Sequence, residues 1–293
     1  MNMPWNALRV LRLAVYGWLV LYVVTALPAT EWLWDPPVSP MLHGPPGLFR
    51  YLTHAFATWL PIAFALPAAI LLSLLGILAL FYRMRWWMSL LIWILFTSLM
   101  NHAWLAASGG HQLIANVLFW MIFLPTVPTE RQVAPGIASD LREILGVAAF
   151  WIIRLQLLLA YGVTGIQKLM GYQWTHGHAI GIVASDPDYG PAFLIGQGGL
   201  LTVLTYAVLA FQLIFPVAVW WRPTRIIWMW AGVAFHVCTG LAFGIPDMGL
   251  AFLAVYPIWW SDKVAMEMSG RFDTCGNRVL ALMKGRNRTS KHD

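Results

Sequence analysis

Eight apolar runs, each close to the length of a bilayer crossing, limit what this chain can fold into. They cover approximately residues 8–27, 59–82, 86–107, 111–128, 144–170, 198–221, 226–244 and 248–261. A spanning helix needs roughly twenty apolar residues, and hydrocarbon admits only structures that satisfy their own backbone groups. The expected fold class is therefore all-α, a polytopic helical membrane protein with about eight transmembrane helices. The last run is short, which leaves seven crossings open, but eight fits the charges better. Only 10% of the residues are charged and 60% are hydrophobic, with a mean hydropathy of +0.68. A soluble domain carries about a quarter charged residues. This balance excludes an ordinary cytosolic enzyme, a disordered chain and a nucleic-acid-binding domain. The eighteen tryptophans suit the bilayer interface.

The basic residues set the expected orientation. With the N-terminus inside, the inner side holds Arg9, Arg12, Arg83, Arg85, Arg131, Arg142, Arg222, Arg225, Lys263 and every later Lys and Arg. Only Arg50 falls in an outer loop, while Arg154 and Lys168 fall within a run. The asymmetry follows the positive-inside rule, so both termini should be cytoplasmic. The net charge of +6 and the pI near 9.5 then report topology and no nucleic-acid partner. The first run, with Arg9, Arg12 and Ala26-Leu27-Pro28-Ala29, also has the look of a signal peptide. Its length favours a retained helix, and cleavage would leave the other crossings unchanged.

Residues 1–262 are expected to form one membrane domain, followed by a basic cytoplasmic tail over 263–293. The proline-rich outer loop 28–58 ends in a helix-like stretch with Phe49, Tyr51, His54 and Trp59, which reads as an interfacial helix. The outer loop 171–197 contains an apolar stretch near 177–184 that could re-enter the membrane. The tail reads as a short interfacial helix and then disorder. Cys238 and Cys275 form no CxxC, so neither a disulfide framework nor a thiolate metal site is expected.

Polar groups are costly inside a bilayer, so they single out candidate sites. The fifth run holds Arg154, Gln156, Tyr161, Thr164, Gln167 and Lys168. Arg154, Tyr161 and Lys168 recur every seventh position and share one helix face. That face must turn toward the bundle or a hydrated cavity. From position alone, Lys168 reads as a snorkelling anchor, and Arg154 as a structural group paired with a carbonyl or with Gln212. His102, His111, His176, His178 and, near mid-span, His236 belong to the same outer half, which shifts the balance toward a site. Their spacing matches no zinc signature, and no nucleotide loop or serine elbow occurs.

The stretch from Leu155 through Tyr161, Gly162, Gly165, Gln167 and Lys168 to Leu169, followed by Trp174, Gly177 and Ala179, resembles the HTTM family. These are bacterial relatives of the membrane part of vitamin K-dependent gamma-carboxylase. Two further blocks agree, Gly109-Gly110-His111-Gln112-Leu113 leading to Phe119–Pro125, and Phe211–Pro216 leading to Phe235-His236. The resemblance implies that Lys168 is the base that deprotonates a reduced vitamin K-type quinone, with His111 and His236 as polar partners. Tyr161, Trp174 and Gln212 are the candidate cofactor-binding residues, and no metal is indicated. Leu169, Ile166 and Met170 around Lys168 would strip water from its amine, the setting in which a lysine serves as a base.

Two functions are therefore expected to compete. One is a quinol-linked enzyme of the bacterial inner membrane that modifies or matures a peptide or protein at the outer face. The other is a non-catalytic membrane partner that binds a peptide or lipid and assists another membrane or secreted protein. A transporter is third, since no inverted repeat is visible.

Overall fold

Each of the eight apolar runs contains a helix, and the helices begin and end where backbone chemistry requires. The computed structural model describes residues 3–34, 62–103, 106–126, 136–188 and 190–268. Its longer helices are α1 (Trp5–Ala26), α2 (Ala65–Phe81), α3 (Trp86–His102), α4 (Gly109–Met121), α5 (Ile137–Leu169), α6 (Gly198–Ala218), α7 (Arg222–Ala242) and α8 (Pro246–Val255). No strand occurs among the described residues. Pro223 and Pro246 sit in the first turns of α7 and α8, where a missing N–H costs nothing. Gly244, at φ +65°, lets the chain reverse between them.

Four helices are long and apolar enough to cross a membrane: α1 with its continuation to Leu33, α5, α6 and α7. The others are shorter than their apolar runs. α2 and α3 have 17 residues each, α4 has 13, and α8 has 10 before a 3-10 turn at Tyr256–Trp259. The stretch with Phe49, Tyr51, His54 and Trp59 and the tail from residue 269 lie outside the described residues. In the 171–197 loop, Tyr172–Thr175 and Ala179–Ala184 form short helical turns. The second packs Ile180 and Ala184 against Leu201 of α6, and Thr205 Oγ1 accepts the Ile180 N–H at 3.1 Å.

Close approach through glycine organises the bundle, as is common where helices meet without water. α8 is flanked by α1, α4 and α7. A Cβ at Gly110 would come within 3.0 Å of the Met248 backbone, and one at Gly249 within 2.8 Å of the His236 carbonyl. α5 meets α6 at Gly165, where a Cβ would lie 3.3 Å from Gln212.

Several arginines satisfy helix-end carbonyls. Arg12 donates to the Leu124 and Pro125 carbonyls at 2.8 and 2.9 Å, just beyond α4. Arg225 donates to Val219 and Trp220 at the end of α6. Arg154 finds a carbonyl, Ile258 at 3.1 Å, and stacks on the Phe150 and Trp259 rings. At the start of α1, Asn6 donates its backbone N–H and its side-chain amide to the Asp262 carboxylate at 2.7 and 2.9 Å. Residues 6 and 262 thus meet at one end of the bundle.

Candidate functional site

The three α5 residues spaced by seven occupy three different settings. Arg154 belongs to the carbonyl and aromatic cluster around Trp259. Tyr161, two turns on, is 1% exposed at the centre of the bundle. Lys168, in the last turn of α5, is half-buried, with Nζ 4.8 Å from the centre of the Trp174 ring.

Tyr161 is the hub of a buried polar trio. Its hydroxyl hydrogen-bonds to His236 Nε2 on α7 and, at 2.8 Å, to the hydroxyl of Tyr256 just after α8. His236 and Tyr256 are 3% and 2% exposed. Aromatic rings enclose the trio: Phe215 lies 4.3 Å from the Tyr161 ring, and Phe252 stacks on His236 at 4.8 Å. Gly232, one turn before His236, makes the arrangement possible, because a Cβ there would overlap the Tyr256 hydroxyl. Tyr256 was not singled out by sequence reasoning. The available signal was i, i+3, i+7 spacing, which puts Gly249, Phe252 and Tyr256 on the side of the chain that faces His236.

Two atoms near this trio are buried without a hydrogen-bond partner, His236 Nδ1 and Gln212 Oε1. Gln212 lies on α6 against Gly165. Its backbone carbonyl also lacks the usual helical donor, since the residue four positions on is Pro216. A stranded buried polar atom costs about 1–3 kcal/mol, so such atoms invite a partner.

His111 stands elsewhere. Its Nδ1 accepts the Ser108 backbone N–H at 2.9 Å and contacts Ser108 Oγ at 2.9 Å, closing a capping box at the start of α4. Its Nε2 faces Asp247 Oδ2 at 3.8 Å, and Trp18 donates to the Asp247 carbonyl at 2.9 Å. The rings of Trp18 and Tyr22 meet it edge to face. His111 and His236 therefore approach α8 from different helices, α4 and α7. Of the other histidines, His102 is buried, while His176, stacked on Tyr172, and His178 are exposed. His178 lines a cleft of about 700 Å³ with Ser185, Asp186 and Gly198. Among the described residues, no group of three or more His, Cys, Asp or Glu could hold a metal ion. Comparison with protein-family models, curated proteins and solved structures returns no match.

Proposed function

We propose that the chain is a multi-pass protein of the bacterial inner membrane, crossing the bilayer eight times with both termini cytoplasmic. It would carry out a quinol-linked modification or maturation of a peptide or protein at the outer face, with Lys168 as base. One observation carries this reading. Lys168 lies on the same α5 face as Tyr161, about 10 Å along the helix, and Tyr161 is bonded to the buried His236. The apolar flanks exposed on α2, α5, α6 and α7, such as Leu74, Leu159, Val203 and Ile227, support burial in lipid.

The residues fit a quinol. Phe211, Phe235 and Phe252 gather aromatic rings around His236, and Gln212 Oε1 and His236 Nδ1 are polar atoms with capacity to spare. A reduced vitamin K-type quinone supplies two electrons and two protons when bound. In this reading Lys168 Nζ takes up a proton, and Gln212 and His236 hold the ring oxygens. Trp174 positions the Lys168 side chain, and His111 supports the site through α8. The resemblance over Leu155–Leu169 supports the same roles.

The test is a rate measurement on reconstituted protein supplied with vitamin K hydroquinone and oxygen. The wild type should consume both, and Lys168→Ala and Lys168→Arg should each lose about 100-fold or more in rate. Arginine keeps the charge but stays protonated. A full rate in Lys168→Arg removes the base. A second reading, the non-catalytic partner, is favoured by the Trp174 contact, because a π face attracts the ammonium form. Under it the wild type consumes no hydroquinone, and Lys168→Arg keeps whatever partner binding Lys168→Ala loses.

A further inference from the structure

Only one direction of hydrogen bonding through the buried trio uses both hydroxyl protons. If Tyr256 donates to Tyr161 and Tyr161 donates to His236 Nε2, both hydroxyl protons are bound. In the reverse direction Nε2–H donates to Tyr161 and Tyr161 to Tyr256. The Tyr256 proton is then left without an acceptor among the described residues, in a side chain 2% exposed, and Nδ1 is left without a donor. The first arrangement leaves a single group open, so it is favoured. A neutral imidazole carries one N–H. When Nε2 accepts, the proton is on Nδ1, the buried nitrogen that has no partner.

We infer that His236 presents Nδ1–H to the site as a hydrogen-bond donor, with Tyr161 as the positioning residue that fixes this tautomer. The contact then selects an acceptor oxygen (carbonyl, carboxylate or phenolate) over an amine or ammonium. The inference deepens the reading above and rests on it only for the ligand's identity. Tyr161 has its hydroxyl engaged on both sides, so it acts through His236 and does not touch the ligand by that group. Tyr256 polarises the Tyr161 hydroxyl and strengthens its donation.

The experiment is NMR on the full chain in detergent micelles, with histidine labelled in heavy nitrogen. His236→Ala identifies the signals by their loss. Long-range couplings between each ring nitrogen and the ring C–H protons report which nitrogen carries the proton. The wild type should show Nδ1–H, and Tyr161→Phe should gain Nε2–H, because Nε2 has lost its donor. An Nε2–H or doubly protonated ring in the wild type overturns the inference, and an unchanged tautomer in Tyr161→Phe overturns the positioning role. Menadione serves as the acceptor probe and benzylamine as the cationic one. Menadione should shift the Nδ1 signal, and a shift with benzylamine instead overturns the selectivity. If Nδ1–H is present and menadione has no effect, the quinol reading fails and the tautomer stands.

Discussion

Removing the hydroxyl of Tyr256 takes away one hydrogen bond, whereas removing that of Tyr161 strands both His236 Nε2 and Tyr256 Oη. Tyr256→Phe should therefore cost about 1 kcal/mol of stability, and Tyr161→Phe about 2 kcal/mol or more. The double variant should lose little beyond Tyr161→Phe alone, since the two side chains share a bond. Thermal unfolding in detergent reads all three, and additive losses would show that the trio does not act as a unit. At this scale the sequence was legible where a polar group had no business in an apolar run, as with Tyr161 and His236, which the structure joins. It was opaque for Tyr256, because a tyrosine near the end of an apolar run reads as an interfacial aromatic. Arg12 was read as a topology marker alone, and its two carbonyl partners lie more than a hundred residues away in sequence.

Glycine divides the helices into contact zones and open faces. At Gly17 an added methyl meets nothing within 4 Å, while at Gly232 it meets the Tyr256 hydroxyl. Gly17→Ala should be neutral or stabilise by up to about 1 kcal/mol through helix propensity alone. Gly232→Ala should destabilise by about 1–3 kcal/mol and dislodge Tyr256, since a rigid ring cannot yield at its tip. Melting temperatures of the purified variants check both directions. Equal, small effects would mean that α7 and the Tyr256 turn are not in close contact. The positions of the helices could be read from the apolar runs. Their ends could not, because α4 stops at Met121 and α8 at Val255 inside runs that stay apolar. Hydropathy does not register a turn built from apolar residues.

Across the whole molecule, the pairing of Asn6 with Asp262 puts the start of α1 and the segment 262–268 at the same end. The charge pattern predicts that this end is the cytoplasmic one. In a chain with Cys238 and Cys275 replaced by serine, an impermeant thiol reagent added to intact cells should label Asp188→Cys and spare Glu143→Cys. The opposite pattern would invert the orientation. Both positions are exposed, whereas Thr224 is half-buried and donates to the Ala218 carbonyl, which makes it a poor reporter. Membrane character was readable because it follows from composition. The number of crossings was not, because α2, α3, α4 and α8 have only 10 to 17 residues, where a crossing needs roughly twenty.

The Asn6 backbone N–H finds its acceptor 256 residues later, and Trp18 finds the Asp247 carbonyl 229 residues later. During synthesis, α1 emerges before α8 and Asp262, and these groups stay unsatisfied until both have followed it. A chain halted ahead of α8 leaves α1 with an uncapped start and an indole without its acceptor. The seating of α1 is thus settled only by residues that follow α7.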